Sequence, residues 1–184
     1  MAIASSARYS PTARFFHWTI GLLVLTIVPV GILMDNIGSG PTQNSLYQLH
    51  KSVGVLILML MTLRIIYRFS YGAPSAESTL KPWERAVSGT VHWVLYGLLI
   101  VNPLLGLFAL SAYGAPAPFF GLFQIPPLIA KNVALADRLF FFHTWIGWAI
   151  GFLFCAHIAA ALQHYFIKRD GVMQRMLPKS LGGN

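Results

Sequence analysis

Four long apolar runs constrain this chain more than any other feature. A helix rises about 1.5 Å per residue, so crossing a hydrocarbon core of about 30 Å takes about 20 mostly apolar residues. Four segments meet that length: Phe15–Met34, Leu46–Phe69, Val87–Ala112 and Leu139–Ile167. Inside hydrocarbon a backbone must satisfy its own hydrogen bonds, which leaves helices or closed barrels, and the alternation of a barrel strand is absent here. The expected fold class is all-α, an integral membrane four-helix bundle forming a single domain over residues 1–184. Charge content agrees: 10% of residues are charged, against about a quarter in soluble domains. A basic segment, MAIASSARYSPTAR, precedes the first run as in a secretory signal. The run is too long for one and no small-x-small cleavage site follows it, so it reads as a retained first helix.

The net charge of +8 would suggest nucleic-acid binding in a soluble protein. Here the charges sit at helix ends. Arg8, Arg14, Arg64, Arg68, Lys81, Arg85, Lys168, Arg169, Arg175 and Lys179 fall on the side of both termini, and Lys51, Lys131 and Arg138 on the other. This asymmetry predicts that both termini are cytoplasmic. The basic character then reports topology and contact with anionic membrane lipid, with no nucleic acid involved.

The connectors differ. Asp35–Ser45 is short and polar, Ser70–Ala86 carries Pro74 and Pro82, and the Pro- and Phe-rich Tyr113–Arg138 is expected to cap the bundle at the interface. Asn102-Pro103 predicts a kink in the third helix. Five tryptophans at helix ends read as an interfacial belt. The single cysteine, Cys155, excludes an intrachain disulfide and reads as a small core residue.

All six histidines lie in or at the ends of the four helices, where ionisable groups are costly and usually functional. With alternating helix directions, His17 and His157 fall at the inner level, and His50 and His143 at the outer level. Fourteen residues separate His143 from His157, which is about 21 Å of rise and only about 40° of rotation. One helix therefore supplies a ligand to each of two stacked sites. Small residues follow the four at i+4, namely Gly21, Gly54, Gly147 and Ala161, leaving room on the same helix face for a flat macrocycle.

Two facing imidazole pairs fit bis-histidine b-type haem better than zinc, which takes a tetrahedral N/S set. Arg64 lies 14 residues after His50, where it either pairs with a haem propionate or snorkels to the surface. His92 and His164 fall at the inner side, away from the paired ligands. They read either as donors to a quinone carbonyl or as solvated helix-end residues. A transition-metal transporter using transient histidine ligands is a competing class, disfavoured by the lack of intramembrane carboxylates.

The stretches YSPTARFFHW, LHKSVGVLILMLMTLRIIYR, HWVLYGLLIVNPLLGL and FFHTWIGWAIGFLFCAHIAAALQHYFIKRD resemble the bacterial cytochrome b561 family, and over the whole chain its superoxide-oxidase branch. The resemblance implies two haem b groups, His17 with His157 on the inner one and His50 with His143 on the outer one. It implies an oxidoreductase of the bacterial inner membrane that takes electrons from periplasmic superoxide and passes them to ubiquinone. It also matches His92 and His164 to histidines of that branch, as quinone-site candidates. An electron conduit serving a partner redox protein is the alternative. Superoxide is an anion, yet the outer side carries Asp35 and Asp137 beside its three cations.

Overall fold

The structure, a computed structural model, describes residues 8–177. Lys179, counted above among the basic residues, lies outside the described residues, as do residues 1–7. Four helices run α1 Pro11–Asn36, α2 Pro41–Tyr71, α3 Pro82–Tyr113 and α4 Val133–Leu162, and α4 continues as a π-helix over Gln163–Lys168. All four are long and apolar enough to cross a membrane. Their even number returns the chain to the side where it began. We call this the terminal end, and the opposite side the hairpin end.

The helices begin earlier than the apolar runs because each start carries its own signal. Proline opens α1, α2 and α3, where its missing N–H costs nothing and its fixed φ already suits a helix. Ser10 caps α1 by accepting from the Ala13 N–H at 3.2 Å, and Asn132 caps α4 through Leu135 N–H at 3.1 Å. Gly114, in the left-handed region at φ 90°, ends α3. The first connector consequently shrinks to residues 37–40.

α1 packs along α2 and α3 along α4, while α2 also meets α3 and α1 touches α4 lightly. Gly151 permits that last approach, since a Cβ there would come within 3.3 Å of Val28 Cγ1. The buried centre is aliphatic: Ile20 and Val24 of α1, Val53, Ile57 and Met61 of α2, and Ile150 of α4. Most other apolar side chains face outward; only Ala136 and Ile150 are buried in α4, as lipid-facing helices require. Cys155 is exposed on α4, not in the core as expected. α4 is apolar all round, so composition could not say which face meets lipid.

The connector after α3 holds a feature the apolar pattern did not reveal, a two-stranded antiparallel hairpin of β1 Ala117–Phe119 and β2 Phe123–Ile125. It caps the bundle through Ser52 of α2. The buried Ser52 Oγ accepts from Phe120 N–H at 2.9 Å and donates to Pro118 O at 3.2 Å. At the terminal end the last described residues fold back over the helix starts. Tyr9 N–H donates to Arg175 O at 3.2 Å, Arg14 Nη1 to Leu177 O at 2.7 Å, and Trp18 Nε1 to Met176 O at 2.9 Å.

Candidate functional site

Each helix carries two residues 14 positions apart: His17 and Gly31 on α1, His50 and Arg64 on α2, His92 and Gly106 on α3, His143 and His157 on α4. Because 14 residues are nearly four whole turns, every helix presents one member at each of two levels. At the hairpin-end level the rings of His50 and His143 face each other with centroids 6.0 Å apart, inclined at 82°. At the terminal-end level His17 and His157 do the same at 6.0 Å and 80°. Val24, Ile57, Met61 and Ile150 belong to the dry core of the bundle that these levels share.

Those separations test the residues against a haem. A metal–imidazole bond is about 2 Å and the ring nitrogen lies about 1.1 Å from the ring centre, so two axial imidazoles on one iron place their centroids about 6.2 Å apart. Both pairs match. His143 is also held in the right tautomer: its Nδ1–H donates to the Asn102 carbonyl at 2.9 Å, leaving the Nε2 lone pair for a metal. His50 Nδ1 is buried, with the backbone of Ile27 beside the ring.

A cavity of about 220 Å³ opens beside this pair, lined among others by Gly54, Asn102, Gly147 and Trp148. Among the described residues no three His, Cys, Asp or Glu side chains converge as a metal site. Isolated facing pairs suit a metal whose remaining ligands come from a macrocycle. The residues present therefore fit haem.

Behind the hairpin-end pair stand two glycines that the sequence reading missed. A Cβ on Gly31 would lie 3.0 Å from His50 Cε1, and one on Gly106 would lie 2.9 Å from His143 Cε1. Each lets a neighbouring helix back press against an imidazole and fix its orientation. The signal was in the sequence: both lie 14 residues after a histidine of their own helix.

The terminal-end level repeats this plan with polar residues in the glycine positions. Arg64 stands behind His17 as Gly31 stands behind His50. Its Nη2 donates to His17 Nδ1 at 3.3 Å and its Nε to the Tyr96 hydroxyl at 3.0 Å. Arg64 thus faces the interior of the bundle.

His92 requires a correction, because it is not away from the paired ligands. Its ring stands 5.2 Å from His157, in the place that Gly106 takes beside His143. Its depth follows from its position along α3, whereas its face depends on how α3 packs against α4. At 5.2 Å the separation is about 1 Å too short for an iron between the two rings, so His17 remains the better partner of His157. Its Nδ1–H donates to the Ser88 carbonyl at 2.6 Å.

His164 stands apart from both levels. It lies in the π-helical end of α4, its Nδ1–H donating to Asp170 at 2.5 Å. At the hairpin end, Asp35 lines the cavity mouth and accepts from Tyr47 at 2.8 Å. Lys51 lies over the Tyr47 ring at 5.9 Å.

The chain is similar to known bacterial membrane proteins over nearly its whole length. It is 30% identical over 174 residues to cytochrome b561 homolog 2 of Escherichia coli strain K12, covering 94% of this chain and 93% of the relative. It is 32% identical over 179 residues to cytochrome b561 homolog 1 of the same strain, covering 94% and 98%. A third relative, a probable superoxide oxidase CybB of Yersinia pestis, is 31% identical over 175 residues, covering 95% and 98%. Residues 8–179 match the family described as prokaryotic cytochrome b561. With facing histidines inside a four-helix bundle and this match along its length, the chain belongs to the prokaryotic cytochrome b561 family of membrane haem b proteins.

Proposed function

We propose that the chain is a di-haem oxidoreductase of the bacterial inner membrane that takes electrons from superoxide at the hairpin end and passes them to ubiquinone at the terminal end. The observation that carries this is the repetition of one pair geometry at two levels on α4. Sites about 21 Å apart along one helix form a path across most of the hydrocarbon core. His50 and His143 would hold the outer haem and His17 and His157 the inner one, with Arg64 pairing a propionate. Haem b supplies reversible one-electron chemistry when bound.

The protein's own part is to fix ligand tautomers, exclude water and set the two levels at opposite depths. His143 is oriented by the Asn102 carbonyl. With His17 bound through Nε2, its Nδ1 carries the proton and no longer accepts from Arg64, which frees the guanidinium for a carboxylate. We place the terminal end in the cytoplasm, because it carries most of the basic residues. A quinone reduced there takes its protons from that side. The assignment of superoxide draws on the Yersinia pestis relative named for that activity.

A second reading, an electron conduit between the quinone pool and a partner redox protein, draws on one observation. The hairpin-end cavity has a carboxylate, Asp35, at its mouth, which would repel an anionic donor. One experiment separates the two. The purified chain in lipid nanodiscs is mixed with a superoxide source and a short-chain ubiquinone, and quinol is followed optically. Superoxide-dependent, superoxide-dismutase-sensitive quinol formation supports the first reading. Haems that superoxide reduces slowly or not at all support the second.

A further inference from the structure

The two histidine levels repeat one plan but differ in charge. The 14-residue spacing gives His17 and Gly31 on α1 the same order as His92 and Gly106 on α3, and His50 and Arg64 on α2 the same order as His143 and His157 on α4. The hairpin-end level therefore carries two histidines and two glycines, and the terminal-end level three histidines and one arginine. Arg64 stands where strict repetition of α4 would put a fourth histidine.

A protein sets the potential of a bound haem through ligand identity, burial, and the hydrogen bonds and charges around the ligands. The ligands are of one kind at both levels, and both pairs adjoin one aliphatic core. Their polar surroundings differ. At the hairpin end His143 Nδ1–H donates to the Asn102 carbonyl at 2.9 Å, which makes the imidazole a stronger base and favours ferric iron. Gly31 and Gly106 bring no charge behind the rings. The Asp35 carboxylate lines the cavity mouth, with Lys51 beside the Tyr47 ring.

At the terminal end a cation takes the place of the carbonyl. Arg64 Nη2 lies 3.3 Å from His17 Nδ1, and the guanidinium is held by Tyr96, its Nε donating to the hydroxyl at 3.0 Å and its Cζ lying 5.3 Å from the ring centre. A guanidinium has no acceptor and keeps its charge at physiological pH. It therefore cannot strengthen His17 as a base, and it fixes a positive charge beside that ligand. The carboxylates of this end are engaged elsewhere: Glu84 with Lys168, Asp170 with His164, and Glu77 accepting from the Ser78 N–H at 3.2 Å.

Reduction adds one negative charge at the iron, and in a low-dielectric core a nearby cation stabilises that form. A guanidinium paired with a propionate acts in the same direction, because it cancels a negative charge that opposes reduction. We propose that Arg64 makes the terminal-end haem the stronger electron acceptor of the two, and so fixes the direction of electron flow from the hairpin end to the terminal end. One electron moves, the hairpin-end iron passing from ferrous to ferric as the terminal-end iron passes from ferric to ferrous. No proton or leaving group is involved. The inference rests on the two-haem reading above and holds for either electron donor.

The test is redox potentiometry with optical detection on the haem-loaded full chain in nanodiscs, comparing the wild type with Arg64→Gln and Arg64→Lys. His50→Leu and His17→Leu, each keeping one haem, assign the two midpoints to their levels. The terminal-end midpoint should be the higher in the wild type. In Arg64→Gln its reduction equilibrium should shift about tenfold toward the oxidised form, which is about 59 mV for one electron, while the hairpin-end midpoint keeps its wild-type value. Arg64→Lys retains the charge and should recover most of the shift.

A wild type whose hairpin-end midpoint is the higher overturns the proposal, and that comparison stands even where Arg64→Gln does not retain its terminal-end haem. An unchanged terminal-end midpoint in Arg64→Gln also overturns it. Equal shifts in Arg64→Gln and Arg64→Lys would make Arg64 a structural support rather than a source of charge, and overturn it likewise. A wild type that holds a single haem overturns the two-haem reading, and the proposal with it.

Discussion

At the residue scale, the distinction between ligand and neighbour turns on about an ångström. His17 and His92 both stand beside His157, at 6.0 and 5.2 Å, and only the longer distance spans an iron. We therefore expect His17→Leu to lose the terminal-level haem and His92→Leu to keep both, as read by the haem absorbance of purified protein. Loss of a haem in His92→Leu with retention in His17→Leu would reverse the assignment.

The glycines give a second expectation. Gly106→Ala places a Cβ 2.9 Å from His143 Cε1, so the ring must shift or the helices part, at about 1–3 kcal/mol. Gly89→Ala, with nothing within 4 Å of its added Cβ, should instead stabilise α3 by up to about 1 kcal/mol. Thermal unfolding midpoints of the two variants should move in opposite directions. The histidines were legible from sequence because charge in hydrocarbon is conspicuous. Gly31 and Gly106 share the same 14-residue spacing but carry no side chain to draw notice, and glycine is common in membrane helices.

At the scale of elements, the four helices were legible from length and apolarity, while their ends were not. Hydropathy stops where the membrane stops, whereas Pro11, Pro41 and Pro82 and the caps Ser10 and Asn132 extend the helices into the polar interface. The hairpin escaped notice because its three-residue strands are too short for a period. It is tied to α2 by the hydrogen bonds of Ser52. Ser52→Ala leaves the Phe120 N–H without its side-chain acceptor and should cost about 1 kcal/mol. Hydrogen exchange should rise at residues 117–125 with little change in α1. Unchanged protection there would show that the hairpin holds its place without Ser52.

At the scale of the whole molecule, the account joins a topology to a direction of electron flow. The terminal end carries most of the cations, so the hairpin should face the periplasm. In a chain whose Cys155 is replaced by alanine, a single cysteine at Leu122 should react with an impermeant maleimide on spheroplasts, and one at Ser78 should not. The opposite pattern would invert the orientation.

The haem-to-chain ratio tests the central claim most directly, measured as pyridine haemochrome on the wild type, His50→Leu and His17→Leu. The account predicts about two, one and one. A wild-type ratio of one or zero, or ratios that either substitution leaves unchanged, would contradict it.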